Sequence, residues 1–422
     1  MADDLLRART EPSKQLLDHV ANEVKHREQL VLLDEQQVAF KIVEQAVELA
    51  EDENTKTVVI ILGGPGSGKS VVALSLLGNL SRSGRRVLHA TGSNSFTNTL
   101  RKIVVGSRSA RAQEVFKYFN SFIGERKNAL DVLICDEAHR IRETSVNRFT
   151  RADKRAAAKR QVEELIDVAR VPVFLLDEHQ VVRPGEMGTE AEIRSAAEAA
   201  RCQVRVVHGQ FRCGGSEHYD QWVLRLLGLS SLPPVQWSTL IADTDETYRV
   251  AALPSPEALE SWLTMQNPGG GDTARIAAGY CWPWSDPVRT VTGKALVDDV
   301  AIGNWRRPWN AKPEKPVPDV PASHFWASDP RGFGQVGCIY TAQGFEYDWS
   351  GVIFGDDFVR RGDGWLARRD RSHDGQVRRA SQEEFPALVR NTYKVLLTRG
   401  MKATAVHSTD PETQRFLERM CS

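Results

Sequence analysis

Residues 63–70 read GGPGSGKS. A glycine-rich turn can curl its backbone N–H groups around a polyanion. A lysine and a hydroxyl at its exit add a cation and a metal-binding oxygen. Gly64, Pro65, Gly66, Ser67 and Gly68 would form the cradle, Lys69 would reach the outer phosphates, and Ser70 would hold Mg²⁺. The chemistry implied is binding of a nucleoside triphosphate such as ATP. About 65 residues later comes DEAH, 136–139. Asp136 is placed to hold the metal and Glu137 to polarise an attacking water, the arrangement phosphoryl transfer requires. A glycine turn that binds nothing and an acidic helix cap are the plain alternatives. The loop lies between an apolar strand and a helix, and an acidic strand end follows it, as the motif requires.

The elements that must hold these groups follow an alternating pattern. TVVIIL (57–62) is an apolar strand, followed by the glycine turn and the helical pattern SVVALSLLGNL. RRVLHA (85–90), ALDVLICDEAH (129–139) and VPVFLLDEHQ (171–180) are further strand candidates, the last two ending in acids. A second series begins near Val204 with VRVVHGQFR and continues through ARIAAGYCW, GVIFGDD and ATAVHS. Strands alternating with helices predict an α/β fold, with mostly parallel sheets flanked by helices. The expected organisation is a polar extension over 1–30, a first lobe over 31–205 and a second over 206–422. Inserts are expected near 214–270, 281–335 and 356–383.

Composition narrows the class. The 422 residues carry 55 basic and 55 acidic side chains, so any polyanion must be met by a local patch. The six cysteines show no C-x-x-C spacing, which argues against a zinc or dithiol site. The N-terminal stretch lacks the apolar core of a secretory signal, and no run is long enough to span a bilayer. A cytoplasmic setting is expected.

Further segments appear in a fixed order. Leu33-Asp34-Glu35-Gln36 precedes the phosphate loop; LDEHQ (176–180), GQFRCGGS (209–216), YTAQGFEYDWSGVIFG (340–355) and NTYKVLLTRGMK (391–402) follow DEAH. The series resembles superfamily 1 helicases. With AGYCWPWS and FLLDEHQVVRPGE it is more similar still to the bacterial family with the Schlafen-type (group 3) DNA/RNA helicase domain, over roughly residues 31–408. The resemblance implies two RecA-like P-loop lobes with ATP between them. By matched position it implies that Gln36 reads adenine, Gln180 senses the γ-phosphate, and Arg212 and Arg399 are arginine fingers. It also implies that Gly344 and Glu346 would lie at the cleft, the glutamate as a candidate for the ribose. Some relatives carry an N-terminal nuclease, for which about 30 leading residues leave no room.

Single-stranded DNA or RNA is the partner this implies. TGSNSFTNTLRK (91–102), FKYFNSF (116–122) and the basic run RFTRADKRAAAKR (148–160) mix hydroxyls, aromatics and cations that suit a strand. Trp282, Trp284, Trp305 and Trp309 admit two readings, a stacking platform or a small core. Three function classes follow: a nucleic-acid-dependent translocase or helicase, an ATP-driven switch that unwinds nothing, and a small-molecule kinase. The kinase fits least, because it has no use for the second-lobe series ending in TRG.

Overall fold

Val58, Val59, Ile60 and Ile61 offer no polar face to water, so their strand must be covered on both sides. The computed structural model shows this arrangement. It describes residues 34–53, 55–64, 69–93, 114–177, 180–208, 216–267, 272–291, 293–312, 315–327, 329–343 and 345–422. The chain forms two units. The first comprises Met1–Glu178 and Gly185–Cys213, the second His179–Pro184 and Gly214–Ser422.

The first unit is built on β1 (Thr57–Leu62), β2 (Val87–Thr91), β3 (Phe116–Tyr118), β4 (Leu130–Asp136), β5 (Ala169–Leu176) and β6 (Gln203–His208). They form one sheet in the order β3-β2-β4-β5-β1-β6, with parallel pairing throughout. Val59 and Ile61 pack with α1 (Asp34–Asp52) and α2 (Lys69–Arg82). Val58 and Ile60 face the opposite layer, with α3 (Gln161–Val168) and α4 (Glu190–Ala199). Thr189 starts α4 by accepting a hydrogen bond from Glu192 N at 3.2 Å, as an N-cap threonine should.

One expectation is corrected here. VRVVH, read as the opening strand of the second series, is β6 and pairs with β1 from Thr57↔Gln203 to Leu62↔His208. Its apolar pattern suits either sheet, and only the register beside β1 assigns it. The edge strand β3 was legible as an aromatic cluster but not as a strand.

The second unit holds β7 (Arg249–Ala252), β8 (Ala274–Ala278), β13 (Val336–Gly337), β14 (Tyr347–Phe354) and β17 (Gly400–Ser408) in the order β13-β8-β14-β17-β7, again parallel. The stretch 214–270, expected as an insert, carries α5 (Glu217–Leu226), β7 and α6 (Pro256–Gln266), which pack directly onto this sheet. Leu259 and Leu263 of α6 lie so close to β14 that a Cβ on Gly351 would stand 2.9 Å from Leu263 Cδ1. On the other face, Phe354 stacks on Tyr393 of α7 (Glu384–Leu397), ring centroids 4.5 Å apart.

Between β8 and β13 lie two small antiparallel ribbons, β9 (Val288–Thr290) with β10 (Gly293–Ala295) and β11 (Val300–Ile302) with β12 (Trp305–Arg307). Between β14 and α7 lies a third, β15 (Phe358–Arg361) with β16 (Gly364–Ala367). The tryptophans of the first insert make a core. Trp309 is 1 % exposed, lies against Tyr280, Trp282 and Trp284, and donates its indole N–H to Pro283 O at 2.8 Å. Trp305 is also buried and donates to Glu260. No helix among the described residues is long and apolar enough to cross a membrane.

If Trp309 organises the insert, Trp309→Ala should cost about 3–5 kcal/mol, the scale for truncating a buried aromatic. Unfolding followed by circular dichroism would measure it, and a loss below about 1 kcal/mol would show a dispensable ring.

Candidate nucleotide-binding site

Strands β1, β4 and β5 run parallel, so their C-terminal ends emerge on one edge of the sheet, the usual ligand edge of such folds. Strand β5 separates β1 from β4. Two strand spacings, about 10 Å, therefore divide the phosphate loop from the DEAH turn, room for a phosphate and a hydrated cation.

At the end of β1, Gly63 N donates to Leu176 O of β5 at 3.2 Å, which fixes the base of the loop. Helix α2 starts at Lys69. The buried Lys69 ammonium donates to Gly63 O and Gly64 O, each at 2.7 Å, so the charge is held over the loop by its own carbonyls. Phosphate oxygens are stronger, charged acceptors and can replace these bonds. Ser70 follows in the first turn of α2, at the positive end of the helix.

At the end of β4, Asp136 is 1 % exposed. Its Oδ1 accepts from Glu137 N at 2.9 Å. Among the described residues its Oδ2 accepts no hydrogen bond, and His89 Nε2 lies 3.5 Å from it. A buried carboxylate oxygen left in this state suits a hard cation, so the residues present fit Mg²⁺ held by Asp136 and Ser70.

Glu137 takes the left-handed conformation, φ 57°, ψ 40°. For a non-glycine residue this costs of order 1–3 kcal/mol and is maintained only where the surroundings enforce it. Two glycines show how. A Cβ on Gly188 would lie 1.8 Å from Ala138 O, and one on Gly92 would lie 2.6 Å from Arg140 Cβ. Met187 N also donates to Ile141 O at 2.6 Å. The turn after Asp136 is thus held between the end of β2 and the loop at 185–189. The Glu137 carboxylate meets His139 Nε2 at 3.2 Å and Arg140 Nε at 3.3 Å. Burial alone would raise its pKa. His139, Arg140 and Lys69 outweigh burial and hold the carboxyl well below the usual range. Glu137 is therefore ionised at neutral pH, the state needed to accept a proton from water. The stability linked to this depressed pKa is complete above the ordinary glutamate value and is lost as pH falls through the folded one.

The second unit places its own residues as follows. Gln343 is buried and donates its amide to Gln180 O at 2.9 Å. Asn391 donates to Val181 O at 2.9 Å, and Arg183 lies 3.9 Å over the Tyr340 ring. Residues 180–183 are thus gripped by the second unit. Arg399 is 3 % exposed, and its guanidinium donates to Val395 O and Thr398 Oγ1 at the end of α7 and to Phe345 O ahead of β14. Glu346 is exposed. Pro65, Gly66, Ser67, Gly68, Arg212 and Gly344 lie outside the described residues, as does the side chain of Gln36, whose backbone is in α1.

Much of the expected strand-contacting segment 91–102 also lies outside the described residues. In the basic run, Arg151 pairs with Asp153, Lys159 with Asp167 and Arg160 with Glu192, while Phe149 is exposed with Arg148 over its ring. Three of the six cations of the run thus meet acids, one of them within the run and two outside it. The sequence reading missed His89, Gly92 and Gly188. Gly92 and Gly188 were visible only as glycines just past a strand and in a loop, and nothing local marked His89.

Gly188→Ala should push the Ala138 carbonyl away and carry Glu137 with it. Turnover should fall about 10²-fold, the scale for a misplacement near 1 Å, while nucleotide affinity at the Lys69 loop stays within a few-fold. Parallel kcat and nucleotide titrations test this; an equal loss in both would mean that the whole site had collapsed. Because Glu137 is held in its ionised form, its titration should contribute no acid limb to the pH–rate profile down to about pH 4, where a carboxyl at the ordinary glutamate value of about 4.3 would be mostly protonated. Comparing wild type with Glu137→Asp across that range checks the point.

A family model described as Schlafen group 3, DNA/RNA helicase domain, matches residues 56–410. An uncharacterized protein of Saccharomyces cerevisiae is 22 % identical over 401 residues, covering 85 % of this chain and 83 % of its own. Among solved structures, the Pif1 helicase from Candida albicans is 10 % identical, with a TM-score of 0.37 over 89 % of this chain and 95 % of that one. AMPPCP-bound DnaA from Aquifex aeolicus is 13 % identical, with a TM-score of 0.25 over 51 % and 59 %. The family match includes the phosphate loop, the DEAH turn and the strands of both sheets: the chain belongs to the Schlafen group 3 DNA/RNA helicase domain family.

Proposed function

We propose that the protein is an ATP-hydrolysing, nucleic-acid-dependent motor of the superfamily 1 type, a translocase or helicase acting on a single strand of DNA or RNA. The observation that carries this reading is the joint presence, on one edge of a parallel sheet and with only β5 between their strands, of the Lys69 ammonium at the start of α2 and the carboxylates of Asp136 and Glu137 at and just past the end of β4. Family membership supplies the nucleic-acid half of the reading.

In this mechanism Lys69 exchanges its loop carbonyls for the β- and γ-phosphates. Mg²⁺, when bound through Ser70 and Asp136, would neutralise charge on the phosphate oxygens. Glu137, held by its turn, orients the attacking water and takes its proton. The roles of Gln36 at adenine and of Arg212 and Arg399 at the γ-phosphate rest on the family resemblance. For Arg399 the role requires its guanidinium to leave Val395 O of α7 and Phe345 O. The bonds it makes there are to neutral acceptors, which an anionic phosphate oxygen outcompetes. Gln180 and Gln343, joined by one hydrogen bond, would relay the state of the γ-phosphate to the strand-binding surface.

The deciding experiment is ATP turnover measured alone, then with single-stranded DNA, single-stranded RNA and duplex. Stimulation by a single strand is expected; no response to any of them would leave only the switch and kinase alternatives. Lys69→Ala should abolish turnover with the circular dichroism spectrum unchanged. Glu137→Gln should bind ATP with near wild-type affinity and hydrolyse it slowly.

Arg399→Ala should cut turnover about 10³-fold or more, the scale of an arginine finger, with a smaller effect on ATP affinity. Because Arg399 also caps α7, Arg399→Lys is measured beside it. The lysine keeps the charge and restores folding, but lacks the planar fork. Near-normal turnover in both variants would remove Arg399 from the chemistry.

A further inference from the structure

Strands β9 and β10 form a hairpin, Val288–Ala295, in the insert that leaves the C-terminal end of β8, the ligand edge of a parallel sheet. A two-stranded hairpin with no buried face is marginal in water. Every described residue from Val288 to Lys294 is exposed, and Val291 at the tip is fully so. The base is fixed instead. Ser285 donates from its backbone N and its hydroxyl to the two Asp299 carboxylate oxygens at 2.7 and 2.8 Å. Asp286 is held by Lys312 at 2.8 Å and by Lys315. The hairpin is thus anchored to the Trp309 core while its tip is presented to solvent.

The charges on it oppose its own stability. Arg289 and Lys294 are directly cross-strand partners, so two cations share one face of a narrow ribbon. Like charges in that position are destabilising. Among the described residues neither has an acidic partner. The chain as a whole is neutral, with 55 basic and 55 acidic residues, so a paired cation site on an exposed ribbon is a local feature that the global charge does not explain. A polyanion laid along that face would relieve the repulsion, and a phosphodiester backbone brings one charge per nucleotide. Beside it the fully exposed Val291 offers an apolar surface to a base.

We propose that the hairpin Val288–Ala295 is a nucleic-acid contact outside the nucleotide-hydrolysing motifs, with Arg289 and Lys294 binding backbone phosphates. The proposal rests on the nucleic-acid-dependent reading above and adds the surface that touches the strand. The test uses the full chain with fluorescein-labelled oligo-dT and oligo-U across a salt series, with basal and strand-stimulated ATP turnover measured in parallel. Arg289→Ser/Lys294→Ser should lower affinity roughly 10-fold or more at moderate salt. It should also flatten the log–log salt dependence by about 1.4, at about 0.7 per single-strand phosphate. Basal turnover should be unchanged. Arg289→Glu is the decisive companion, because it replaces the repulsion with a cross-strand ion pair. Its thermal midpoint should not fall, yet its affinity should. A merely structural role predicts the reverse. Unchanged affinity and salt slope in both variants, with wild-type stimulation intact, would overturn the hairpin contact alone. If wild type binds oligonucleotide through the hairpin cations without stimulated turnover, the contact stands and the motor reading fails. If wild type binds neither oligonucleotide, both fail.

Discussion

A parallel strand buried on both faces has one place left for chemistry, its C-terminal end. Val58–Ile61 and Leu133–Cys135 are essentially inaccessible to water, so no polar side chain can work from within these strands. Asp136 therefore sits at the last position of β4, and Lys69 beyond the loop that follows β1, at the start of α2. The interposed β5 sets their separation, and it also receives the hydrogen bond from Gly63 that seats the phosphate loop. Lose the cover on either face and the strand ends no longer define a common edge.

This constraint explains why so much was readable from sequence. TVVIIL, the glycine turn and SVVAL are contiguous, so strand, loop and helix announce one another within a few residues. DEAH likewise closes an unbroken apolar run. The four tryptophans admitted a core as one of two readings, and the structure supplies Pro283, Ala301 and Glu260 as acceptors for three of the indoles. What was not readable depends on register between distant segments. VRVVH could belong to either sheet until paired with β1. RVAA, which forms β7, is too short to show a period. Gly92 and Gly188 matter because of what touches them, and neither neighbour is near in sequence.

The left-handed Glu137 is the clearest case of a site that local rules would not choose. A glycine or asparagine would suit that backbone better. The turn is enforced from outside, by close approach of Gly188 to Ala138 and of Gly92 to Arg140, and by the ion pairs that fix the carboxylate. Conformational cost is thus spread over packing that does no chemistry itself. Arg399 shows a related economy: the same guanidinium that the family resemblance assigns to the phosphate completes the C-terminal turn of its own helix.

The excursion of His179–Pro184 has a consequence for how the chain can be divided. The two units are joined by three passages of the backbone rather than one, because the chain visits the second unit for six residues and returns before leaving for good after Cys213. No single cut yields two intact halves. A fragment ending at Cys213 would carry Val182, which is buried in the core of the second unit, together with carbonyls of Gln180 and Val181 whose donors, Gln343 and Asn391, lie on the missing piece. The complementary fragment would have a gap where that segment packed. Two such pieces mixed in solution would have reason to reassociate, each supplying what the other lacks, in the manner of a split protein reconstituted through a short threaded segment.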